Sequence, residues 1–118
     1  MENYNFINDE EKMADYWDLT KEQFLFSYSY LTEEEYEATR EIVGDRDNIL
    51  AKLRYLIKKA GIYDDEIYVW QDDDGTVGID VGGKIWSNFL NPETAECEVR
   101  CLIRGYQLGK EEVNYEIN

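Results

Sequence analysis

Apolar positions along this chain follow two periods, and the change comes near its middle. In the first half the period is helical. Ile49, Leu53, Leu56, Ile57 and Ala60 fall at i, i+4, i+7, i+8 and i+11 and make one stripe. Gly61 follows as a C-cap, and Lys58 and Lys59 sit where positive charge favours the helix dipole. The spacing predicts a helix over 46–60, capped by Asp45. Three shorter helices are predicted before it. Asn8 or Asp9 caps the first, with Met13, Tyr16 and Trp17 on one face. Thr20 opens the second through a T-x-x-Q box with Gln23, and Thr32 opens the third through a T-x-x-E box with Glu35. In the second helix Phe24, Tyr28 and Leu31 form a stripe while Phe26 and Tyr30 lie elsewhere, so it is apolar most of the way round. It is either sandwiched between neighbours or exposes an aromatic patch. Tyr36, Thr39, Ile42 and Val43 give the third helix a thinner face, which Gly44 ends. Ahead of all these, Tyr4 and Phe6 alternate in a tail or short packing arm.

In the second half the period is two. Ile67 and Val69, then Val77, Ile79 and Val81, then Ile85 and Phe89 are all odd-numbered. So are Cys97, Val99, Cys101 and Ile103, and later Val113, Tyr115 and Ile117. Alternation of this kind predicts antiparallel strands with one buried face. Asp72–Gly75, Gly82–Gly83, Asn91–Glu93 and Gly105–Lys110 read as the turns between them. The fold class expected is α+β: about four N-terminal helices, then a mainly antiparallel sheet of about five strands. Residues 1–118 are read as a single domain, helical over 1–61 and sheet over 62–118, with the 46–60 helix packed on the odd face. The even face mixes Tyr68, Trp70, Trp86 and Leu102 with Asp80, Glu96, Glu98, Arg100 and Arg104. Such a mixture is covered by the helices, is a protein-binding face, or is scattered exposure.

Composition changes this picture mainly through charge. Twenty-seven Asp and Glu face twelve Lys and Arg, a net charge of −15. Acidity of that size repels nucleic acid and anionic membrane and attracts basic surfaces. The same acidity also serves solubility. The 46–60 helix is a basic island within it, through Arg46, Lys52, Arg54, Lys58 and Lys59. Its basic side is expected to pair with the glutamate-rich third helix. No apolar run approaches the ~20 residues of a membrane span, and residues 1–12 do not read as a signal peptide. A soluble, cytoplasmic protein is expected. On one strand Cys97 and Cys101 would lie about 13 Å apart, too far for a disulfide, and they read as two small buried thiols.

Chemistry is sparse. With no histidine there is no nucleophile–imidazole pair and no zinc set. No two carboxylates are marked as buried together. The glycine-rich stretch around Gly75–Gly83 lacks phosphate-loop spacing. Asp72-Asp73-Asp74-Gly75 suggests calcium, but an EF-hand register puts Trp70 at the first ligand, and an acidic hairpin turn fits better. No enzyme activity, cofactor or metal is expected. Two binding functions remain. In the first, the chain is an acidic decoy that occupies the basic nucleic-acid-binding surface of a nuclease. Glu33, Glu34, Glu35 and Glu37 with Asp72, Asp73 and Asp74 would supply the charge. Its composition resembles that of small acidic proteins of phage or mobile-element origin that block restriction or CRISPR enzymes (anti-restriction and anti-CRISPR proteins), though no motif is shared. In the second, the chain is an immunity protein or adaptor that binds a protein partner through Tyr68, Trp70 and Trp86. Direct contact with nucleic acid or membrane is not expected in either.

Overall fold

The computed structural model describes residues 5–117, with side chains described through residue 109. Its elements are α1 (Glu10–Asp18), α2 (Lys21–Ser27), α3 (Glu33–Val43), α4 (Ile49–Lys59), β1 (Ile67–Gln71), β2 (Val77–Val81), β3 (Lys84–Leu90) and α5 (Pro92–Ile117). The fold is α+β, with one antiparallel sheet in the order β1-β2-β3. The chain divides into two compact units, residues 1–52 and 53–118.

The first unit is built on its caps. Asp9 accepts the Lys12 amide at 3.1 Å, and Lys12 Nζ returns to the same carboxylate at 2.7 Å. Both capping boxes form: Thr20 with Gln23, and Thr32 with Glu35. The helices so started turn an aromatic set inward. Phe6, Met13, Tyr16, Trp17, Phe24 and Tyr36 are buried. Phe6 stacks on Phe24 at 5.0 Å, and Tyr16 meets Trp17 edge-on at 4.9 Å. Two polar side chains at this core, Thr39 and Tyr16, are matched. Thr39 Oγ1 accepts the Phe6 amide at 3.1 Å and donates to the Glu35 carbonyl at 3.1 Å. The Tyr16 hydroxyl donates to the Gly44 carbonyl at 2.6 Å. The N-terminal segment is thus a packing arm at Phe6, while Tyr4 lies outside the described residues.

The second unit holds the sheet. α4 ends in a Schellman motif, in which Ile62 N–H reaches the Ile57 carbonyl at 3.2 Å and Gly61 N–H the Lys58 carbonyl at 3.0 Å. Leu53, Ile57 and Ile62 are buried. β1 pairs with β2 odd to odd, Ile67 opposite Val81 and Val69 opposite Ile79. Ile67, Val69, Val77 and Ile79 therefore share one buried face. α5 lies against β2 and buries Ala95 and Val99.

Several expectations need correction. The sheet has three strands, and the segments read as strands four and five belong to α5. Ala95, Val99, Leu102, Ile103 and Tyr106 fall at i, i+4, i+7, i+8 and i+11, and none of them is fully exposed. This helical stripe competes with the odd-numbered alternation and wins because the segment has a strong start. Asn91 Oδ1 accepts the Thr94 amide at 2.8 Å, and Pro92 takes the first helical position. Cys97 and Cys101 consequently stand about 6 Å apart along a helix, and both are exposed rather than buried. α4 starts at Ile49 behind Asn48, whose Oδ1 accepts the Ala51 amide at 3.2 Å. Asp45 instead accepts the Asp47 amide in the preceding turn. α2 stops at Ser27, so Tyr28 is its C-cap and no all-round apolar helix forms; Phe26 and Tyr30 are exposed. Ile42, placed on the apolar face of α3, is exposed too.

Candidate partner-binding surfaces

The four glutamates of α3 are mostly engaged at home. Lys21 Nζ bridges Glu33 at 2.8 Å and Glu37 at 3.0 Å. Arg40 binds Glu37 at 3.0 Å from the following turn. Glu35 is spent on the capping box, with its carboxylate on the Thr32 amide. Only Glu34 of the four has no such partner among the described residues. The basic residues seen to answer α3 are thus Lys21 and Arg40, and within the 46–60 segment Arg46 pairs with its neighbour Asp47. The Lys21 hydrogen bond holds the Glu33 carboxyl below its usual range. At Asp72–Asp74 the turn forms as predicted. Asp72 accepts the Gly75 amide through its backbone, and Asp74 accepts both the amide and the hydroxyl of Thr76. Those bonds lower the Asp74 pKa. Among the described residues no three Cys, Asp or Glu side chains gather as a metal site.

The aromatic positions fall differently. Tyr68 and Trp70 stack at 6.5 Å on one face of β1. The Trp70 indole lies directly over Gly78, where an added Cβ would come within 2.0 Å of the ring. A glycine is required there because the indole fills the space of any side chain. Arg54 of α4 sits 5.9 Å from the Tyr68 ring. Trp86 is separate from this pair. Its indole N–H reaches Glu98 of α5 at 3.4 Å, and the side chain is 56% exposed. Among the described residues no ring contact joins Trp70 to Trp86, whose partner is Glu98.

The reason is the register of β3. Gly82 and Gly83 both take positive φ, 61° and 81°, as a two-residue hairpin needs. Val81 then faces Lys84, and Asp80 faces Ile85, so odd positions of β2 meet even positions at the start of β3. A shift follows: Ile79 faces Ser87, which leaves Trp86 as an extra residue. A second shift puts Val77 opposite Leu90, and near it Phe89 takes a φ of 57°, a left-handed backbone on a bulky residue. Ile85 and Phe89, expected in the core, are instead 65% and 70% exposed. Tyr68, Asp80 and Ile85 thus form one row across all three strands. In that row Asp80 Oδ1 is buried with no hydrogen-bond partner. Sequence reasoning missed Ile85 and Phe89. The signal was there: a two-residue turn exchanges odd for even across the hairpin.

Comparison of the chain with protein-family models, with curated proteins and with solved structures finds no match.

Proposed function

We propose that this chain is a non-enzymatic binding protein, of the immunity or adaptor kind, that holds a protein partner through the apolar surface of its sheet. The observation that supports this reading is the exposure of Ile85, Trp86 and Phe89 on β3, the edge strand beside β2. Exposed apolar side chains gathered along one strand are the kind of patch that marks a protein-interaction site. The left-handed Phe89 backbone adds to it, because such conformations cost about 1–3 kcal/mol and gather at functional sites. The Tyr68–Asp80–Ile85 row adjoins this edge and supplies further apolar area with a carboxylate in its middle. The net charge of −15 steers a basic partner surface toward it, while the apolar groups set how long it stays.

A second reading is the acidic decoy of a nuclease's nucleic-acid-binding surface. It is favoured by the net charge and by Glu34 and Asp73, which have no ion-pair partner among the described residues. It has less support from α3 than from the charge total, since Glu33, Glu35 and Glu37 are tied to local partners. Site-specific photo-cross-linking separates the two readings. A benzophenone amino acid placed at Trp86, and separately at Glu34, is irradiated in nuclease-treated bacterial lysate. An adduct from position 86 and none from 34 supports the sheet surface. An adduct from 34 alone, with a nucleic-acid enzyme, assigns the contact to the acidic helix and defeats the first reading.

A further inference from the structure

Lys12, Lys21, Arg40 and Arg46 are held in ion pairs at 2.7–3.0 Å, whereas Arg54, Lys58, Lys59, Lys84 and Arg104 have none among the described residues. Two of these, with Arg100, line one recess between the last turn of α4 and the middle of α5. It has a volume of about 340 Å³ and lies wholly within the second unit. Leu56 of α4, Ala60 just past its end and Ile103 of α5 form a half-buried apolar floor. Lys59, Arg100 and Arg104 form the rim. Arg100 Nε is held by Glu96 at 2.9 Å, a contact made through Nε and not through the two terminal nitrogens of the guanidinium. Lys59 and Arg104 make no ion pair among the described residues. Cations left side by side, around an apolar floor, have the chemistry of a receptor for an anion with an apolar body.

We propose that this recess docks a short acidic peptide segment of a partner protein, with one apolar side chain on the Leu56–Ala60–Ile103 floor and flanking carboxylates on Lys59, Arg100 and Arg104. Charge complementarity selects the occupant. The chain's own field repels anions in general, so an acidic segment gains attraction only where the cations are gathered. A guanidinium accepts a carboxylate in a two-bond fork, which gives direction as well as energy. The volume suits one side chain and its neighbours rather than a long helix. Exposed Leu108, one turn beyond Arg104, extends the apolar track along α5 for a second anchor. The recess is a separate surface from β3, so the protein would bridge two partners of opposite charge.

The test is fluorescence anisotropy with a labelled pool of six-residue peptides, each with Leu, Ile, Phe or Met between pairs of Asp or Glu, titrated with the full chain. Saturable binding is expected, weakened roughly tenfold by the Lys59→Gln/Arg104→Gln double variant. It should be unchanged in Lys58→Gln/Lys84→Gln, which removes the same charge outside the recess. The matching Asn/Gln peptides should not bind. The proposal is overturned by absence of saturable binding across the pool, or by equal loss in both double variants. It is also overturned if free glutarate competes as well as the peptides do. A concentration-dependent dimer abolished by Lys59→Gln/Arg104→Gln would likewise overturn it, since a second copy would then fill the recess.

Discussion

In the first unit, Phe6, Tyr16, Phe24 and Tyr36 turn inward, and Lys21 and Arg40 are bridged to Glu37. In the second, Ile85, Trp86 and Phe89 stand in solvent, and Lys59 and Arg104 lack ion-pair partners among the described residues. Exposed rings do occur in the first unit at Phe26 and Tyr30, but the Lys12 ammonium lies 5.5 Å from the Tyr30 ring. The same amino-acid types are thus used as internal glue in one region and displayed in the other. Side chains that satisfy one another have little left for a partner, and side chains left unsatisfied are where a partner gains most. This contrast is the ground on which we propose binding surfaces in the second unit.

The contrast is broken most easily in the first unit's core. Phe24→Ala, at a fully buried ring that touches Phe6 and Tyr28, is expected to cost about 3–5 kcal/mol in urea unfolding. Phe26→Ala, two residues on and 87% exposed, should stay within about 0.5 kcal/mol. Equal costs would contradict the assignment of which ring is inside. Next in size, Thr39→Val keeps the shape but leaves the Phe6 amide without its acceptor, for a loss of about 1–3 kcal/mol. Gly78→Ala pushes the Trp70 indole off the strand, for about 1–3 kcal/mol and a red-shifted tryptophan emission. Unchanged emission would show that the indole does not cover the glycine. Smaller still, Phe89→Gly relieves a left-handed backbone at an exposed ring, and should raise stability by up to about 1 kcal/mol while weakening partner binding.

Tyrosine ionisation reports on the ring cluster of the first unit. The hydroxyl bond to Asp15 raises the Tyr28 pKa to about 12, and burial raises Tyr16 and Tyr36 above the ordinary value. A folded pKa above the unfolded one means that the native state holds its proton more tightly. The stability gained is complete below the unfolded value near 10 and is lost as pH rises through the folded values. Absorbance at the phenolate band should therefore show some of the ten tyrosines titrating late, with unfolding setting in above about pH 10. Asp15→Asn should move the Tyr28 step down. A single step at the ordinary tyrosine pKa would show the ring cluster to be open to solvent.

The helical half was legible because its signals are local. Thr20 with Gln23 and Thr32 with Glu35 are set by three-residue spacing, and the structure forms both boxes. The helix-forming stripe of α4 and the three strands of the sheet were legible for the same reason. α5 was misread because Val99 and Ile103 belong to both an alternating and a helical pattern, and apolar periodicity alone does not separate them. The Asn91-Pro92 start does separate them, since a proline after an N-cap residue is prepared for a first helical turn. The displayed surface was hidden by parity. Counting Ile85 and Phe89 as odd placed them in the core, whereas the two-residue Gly82–Gly83 turn and the shifts after it turned them outward. The Lys59–Arg104 recess joins residues from opposite ends of the second unit, and no local pattern announces it.

The most direct test of the central claim is salt-dependent capture of the protein that cross-links at position 86. The immobilised chain is washed from about 0.05 M to about 1 M NaCl, which shortens electrostatic reach several-fold. The account predicts that the wild-type chain and Glu33→Gln/Glu34→Gln/Glu37→Gln retain the partner throughout. It also predicts that Ile85→Ser/Trp86→Ser/Phe89→Ser, folded by circular dichroism, loses it at every salt concentration. Release from the wild type by salt, together with full retention by the β3 variant at low salt, would contradict the account.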